Sequence, residues 1–164
     1  GCAVMSFVGA GFLGFAHTLP QVNIWTHGTL VTAMHGHMAF WGAYAMIVLS
    51  LIAYALPEMT GRKLYAGWRA TWAFWVSNIG MIAMTGAFAV AGIAQVYLER
   101  KAGLDFLVVQ ESLEVHFLGL ILAATLFSTG LGLFMWDFVR YGLPRPSPDK
   151  PVTGQVTEAV KAAA

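Results

Sequence analysis

Residues 30–56, LVTAMHGHMAFWGAYAMIVLSLIAYAL, contain no Asp, Glu, Lys or Arg, and their only ionisable groups besides two tyrosines are His35 and His37. A run this long exceeds the roughly 20 apolar residues that cross the hydrocarbon core of a bilayer as a helix. Helices and closed barrels are the structures that satisfy their own backbone polar groups in lipid, and uninterrupted apolarity, rather than alternation, selects the helix here.

The rest of the chain extends the pattern. Of its 164 residues, 58% are hydrophobic and 10% charged, where an average soluble protein carries about a quarter charged; the mean hydropathy is +0.67. Segments of spanning length fall at 1–19, 30–56, 69–98 and 115–141. The expected fold is therefore all-α, an integral membrane bundle of four transmembrane helices over 1–143, followed by a Pro-rich tail over 144–164. Pro20 and Pro57 are expected to close the first two spans, because a ring without an N–H cannot continue the ladder. Ala83, Ala87 and Ala91, four apart, read as a small-residue stripe for close helix packing.

Seven of the nine Lys and Arg lie in the loop after the second span and in the tail: Arg62, Lys63, Arg69, Arg140, Arg145, Lys150 and Lys161. The positive-inside rule makes those regions cytoplasmic and puts Pro20–Thr29 and the loop from Glu99 to Glu114 on the outer face. Trp25 fits the aromatic belt there. A net charge of +1 with no basic run longer than two residues leaves no nucleic-acid footprint. The single cysteine, Cys2, excludes an internal disulfide and reads as a buried small residue. The chain begins at Gly1 directly in an apolar segment, and reads as a piece of something longer.

Ionisable side chains inside a span are by default functional candidates. At about 100° per residue, a separation of two turns the His37 imidazole about 200° from that of His35. One ion cannot be held by two rings facing opposite ways; chelation on a helix uses i and i+4. Two separate ligand positions are implied, with Gly36 leaving room between them and Phe40 and Trp41 offering flat surfaces to a macrocycle. Neutral imidazole is a common axial ligand of haem iron, and two haems on opposite sides of one helix would stand roughly 10 Å apart. The competing reading is a pair of hydrogen-bonded packing histidines, or a proton path.

Residues 17–46, HTLPQVNIWTHGTLVTAMHGHMAFWGAYAM, closely resemble the catalytic subunit of bacterial cytochrome c-dependent nitric oxide reductases, a branch of the haem-copper oxidase superfamily. The resemblance covers the ninth and tenth of that subunit's twelve helices, so the four spans would be its last four. Gly36 matches the nitric oxide reductase version of the motif, where respiratory oxidases typically have phenylalanine. The resemblance implies that His35 is the axial ligand of a high-spin haem b, where NO binds. It implies that His37 is one axial ligand of a low-spin haem b whose second histidine lies on an early helix. It implies the reaction of two NO with two electrons and two protons to N2O and water, in denitrification, in the bacterial inner membrane.

His27 lies eight residues before His35, about 12 Å along a helix, at the expected outer edge. Together with the resemblance this suggests a haem propionate contact, aided by Thr26 or Thr29; an interfacial histidine near a helix cap is the alternative. His17 reads as interfacial packing, and His116, beside Glu111 and Glu114, as an interfacial polar residue. In the family a non-haem iron, FeB, held by three histidines and a glutamate on upstream helices, faces the high-spin haem. Calcium near the propionates and a cytochrome c subunit that delivers electrons complete the set. This chain has no adjacent His-His pair and no glutamate within a span, so by itself it is expected not to reduce NO. The rival readings are a piece of an oxygen-reducing haem-copper oxidase and a membrane helical module without catalysis.

Overall fold

The computed structural model describes residues 1–60 and 67–139. The tail over 144–164, the end of the fourth span, and all the basic residues used for orientation except Arg69 lie outside the described residues. Regular structure within the described residues is entirely helical. Helices α1 (Cys2–Thr18) and α2 (Pro20–Thr26) meet at 95°. Leu19 between them is extended, and Pro20 occupies the first turn of α2, where its missing N–H costs nothing. The proline therefore both ends α1 and starts α2.

Among the described residues three helices are long and apolar enough to cross a membrane: Leu30–Ala55, Trp68–Lys101 and Glu114–Trp136. The bent α1/α2 pair meets the same test only when its halves are taken together. The first long helix is α3 (Leu30–His37), a π-helical stretch (Met38–Ala45) and α4 (Met46–Thr60) in continuous succession. Contrary to expectation, α4 runs three residues beyond Pro57. Within a last turn a proline removes one ladder hydrogen bond without ending the helix. The second long helix is α5 (Trp68–Val96), prolonged by a π turn (Tyr97–Lys101). After α6 (Phe106–Ser112) comes the third, α7 (Glu114–Asp137).

α5 is central. Among its buried residues, Ala73, Ser77, Gly80, Met84, Phe88, Ala91 and Gln95 recur at spacings of four or three, one continuous packing face. A Cβ on Gly80 would meet the backbone of Phe127, and one on Gly130 the backbone of Ser77, so α5 and α7 touch backbone to backbone. In lipid such packing, rather than apolar burial, holds helices together. The expected stripe does not make this contact. Ala83 is exposed and only Ala91 is buried, because strict four-residue steps drift about 40° each around the helix.

Nearer the C-terminal end of α5, Gly92 meets the start of α3: a Cβ there would lie 2.5 Å from the Val31 nitrogen. α1 packs against α3 and the π stretch through a face carrying Ser6, Ala10, Gly14 and His17. Cys2 lies off that face and is exposed, which corrects the buried assignment.

Candidate functional site

The two histidines of α3 meet different neighbours. The His35 ring lies against α1, its centroid 5.3 Å from that of His17, and a Cβ on Gly14 would stand 3.2 Å from its Cε1. The His37 ring lies 4.7 Å from Phe88 of α5. The half-turn expected from the sequence is realised because the segment holding both rings is still α-helical; the π stretch begins one residue later.

Their nitrogens differ as well. His37 Nδ1 is 2.8 Å from the Ala33 carbonyl. A carbonyl only accepts, so Nδ1 carries a proton, and in the neutral ring Nε2 then keeps its lone pair. The side chain is exposed within this chain. A histidine tied through one N–H to a backbone carbonyl, with its other nitrogen free, has the tautomer that metal-bound histidines adopt. His35 is half-buried, and its Nδ1 is buried without a hydrogen-bond partner, as is His17 Nδ1.

The aromatic pair after His37 splits. Phe40 is exposed and lies near Tyr44, whereas Trp41 is buried edge-on against Phe127. Trp41 is thus core and does not line an open face.

His27 ends α2 and is exposed. Its carbonyl accepts from Arg100 Nη2 at 3.3 Å. Thr26 and Thr29 donate their hydroxyls to the carbonyls of Val22 and Thr26, so neither hydroxyl proton is directed to an outside anion. Gly28, at φ +74°, adopts the left-handed backbone that lets the chain turn from α2 into α3. His116 stands half-buried in the first turn of α7 with Nδ1 unpartnered, and Glu111 and Glu114 are exposed. Among the described residues no three His, Cys, Asp or Glu side chains gather as a metal site.

Three contributors escaped the sequence: Gly14, whose missing side chain admits the His35 ring; Phe88, the wall of His37; and Gln95. His17, expected to be a packing residue, packs on His35. The Gln95 amide is 2% exposed and accepts from the Leu30 N–H at 2.9 Å. An amide side chain in an apolar span, which Gln95 shares only with Asn78 there, was a signal that could have found it.

Fold and site define a multi-pass membrane protein in which one helix presents imidazoles to two sides. Residues 1–131 match the family of cytochrome c and quinol oxidase polypeptide I, and the chain belongs to this family of the haem-copper oxidase superfamily. It is 40% identical over 150 residues to a nitric oxide reductase subunit of Stutzerimonas stutzeri, covering 87% of this chain and 32% of that protein. It is 29% identical over 104 residues to "Cytochrome c oxidase subunit 1" of Rhodobacter capsulatus, covering 59% of this chain and 20% of that one. The chain thus spans about a third or less of the length of these curated relatives.

Proposed function

We propose that this chain is the part of a nitric oxide reductase catalytic subunit that supplies axial histidines to two b haems, as the last four of its twelve helices. The whole enzyme joins two NO with two electrons and two protons to give N2O and water. The observation that carries the reading is the opposed pair on α3: His37 with its Nδ1–H on Ala33 and its Nε2 free, and His35 turned to another helix. The higher identity and wider coverage of the nitric oxide reductase relative favour NO over oxygen as the substrate.

The residues suit the group. His37 has the ligand tautomer and an exposed ring; His35 has a buried Nδ1 that no protein group engages, beside a glycine that leaves its ring space. Haem iron supplies one-electron chemistry and, where a coordination position stays open, a site for NO. His35 would hold the iron of the high-spin haem and His37 that of the low-spin haem, while Ala33 fixes the His37 tautomer and Phe88 limits its ring rotation. His27, whose backbone carbonyl accepts from Arg100, would contact an anionic propionate, with the Arg100 charge nearby in support. The FeB ligands, the second ligand of the low-spin haem and any calcium site lie in the remainder of the enzyme. A cytochrome c subunit would deliver electrons at the periplasmic face, taken as the side of Pro20–Thr29, with the C-terminus cytoplasmic in the bacterial inner membrane.

Reduced-state absorption spectra of the complete membrane complex test the assignment. His35→Ala is expected to abolish the high-spin haem signal and NO turnover, and His37→Ala the low-spin signal. Unchanged haem spectra in both variants would overturn it. Metal analysis separates the oxygen-reducing alternative: copper in place of FeB would sink the NO assignment.

A further inference from the structure

We propose that Gln95 is a positioning residue that fixes the start of the histidine helix, and with it the rotation of His35 and His37. The Leu30 N–H belongs to the first turn of α3, where backbone donors have no intrahelical partner. Thr29, at the N-cap, has extended backbone but makes no side-chain cap, and its hydroxyl donates to the Thr26 carbonyl; a cap of that kind serves the second or third N–H of a helix, so the Leu30 N–H needs another acceptor. Gln95 supplies it from another helix, 65 residues away in sequence, with Oε1 accepting from Leu30 at 2.9 Å. Its Nε2 donates to Glu99 Oε1, also at 2.9 Å.

The orientation of the amide follows from chemistry. A peptide N–H only donates and a carboxylate oxygen accepts, so a flipped amide would place donor against donor. Burying an amide is costly unless its polar groups are bonded, and here each end has a partner. Two neighbouring contacts hold the same stretch to α5 and its extension: Gly92, which admits the backbone of Val31, and Arg100, which donates to the His27 carbonyl. From Leu30 to His35 is about one and a half helical turns, so a rotation at Leu30 is carried to both imidazoles.

The inference rests on the haem-ligand reading for its spectroscopic arm only. The test uses the full-length catalytic subunit in its complex, with hydrogen exchange of the peptide containing Leu30 and electron paramagnetic resonance of both haems. Gln95→Leu is expected to speed exchange at Leu30 by about tenfold and to shift the resonance positions of both haems. Gln95→Glu, which sets a carboxylate against Glu99, is expected to do the same. The double change Gln95→Glu with Glu99→Gln reverses the pair: the carboxylate introduced at 95 accepts from Leu30 and from the amide introduced at 99. It is expected to restore both readouts toward wild type. Wild-type exchange in Gln95→Leu, or a double variant no better than Gln95→Glu, would overturn the proposal. If Gln95→Leu does not assemble, the comparison of the other two variants decides. If His35→Ala and His37→Ala leave the haems intact, the ligand reading fails while the exchange arm still decides the role of Gln95.

Discussion

The two sides of α3 orient a histidine by different means. His37 is set by its own helix: its Nδ1 is held by the carbonyl four residues earlier, at 2.8 Å, and Phe88 walls the ring. His35 is set by a neighbour: no hydrogen bond holds its Nδ1, and Gly14 and His17 of α1 define the space it occupies. A ring fixed locally keeps its orientation as long as the helix exists. A ring fixed by packing against another helix depends on how the two helices sit, and can be tuned by residues outside its own segment.

The largest break in this contrast is expected from Gly14→Val. Its Cβ would stand 3.2 Å from His35 Cε1, and its methyl groups closer still, so the ring must shift. A displacement of about 1 Å costs on the order of a hundredfold in rate. NO turnover of the complete complex should fall by that order, with the high-spin haem spectrum altered and the low-spin spectrum kept; equal disturbance of both would refute the independence of the two sides.

Phe88→Ala attacks the other side. It opens a cavity beside His37 at a cost of about 3 kcal/mol, the lower end for a buried phenylalanine, because in lipid the loss is mainly of packing. Thermal denaturation of the complex should register it, with low-spin signals broadened. Since Ala33 still holds the ring, low-spin haem should remain bound, and its loss would show that Phe88 orients His37 more than Ala33 does. The smallest effect is expected from His17→Phe, which keeps an aromatic ring beside His35 without its nitrogens. Because a ring still packs beside His35, turnover is expected to fall less than in Gly14→Val, and only the high-spin spectrum shifts. A shift confined to the low-spin haem would contradict the packing around His35.

Much of this was legible in the chain. Apolar length located the three long helices to within a few residues, because lipid thickness imposes it. The opposed imidazoles followed from helical rotation, which needs no tertiary information. Contacts between helices were not legible. Whether His17 reaches His35 depends on the register of α1 against α3, and a uniformly apolar run such as 38–45 gives no periodicity from which to read a π ladder. The alanine stripe misled for a related reason. Spacing alone names a face but not the partner, and the residues in close contact, Gly80, Gly92 and Gly130, are separated by gaps that only the packed helices explain.

The π-helical stretch at Met38–Ala45 divides its span into two mechanically separate halves. Its wider ladder, with bonds spanning five residues rather than four, accommodates extra chain within a continuous helix. It lies downstream of both histidines. Inserting or deleting one residue there would turn α4 by about 100° against the bundle while leaving both imidazoles where they are, so the two halves of this span answer separately to changes in length, with the boundary at Met38.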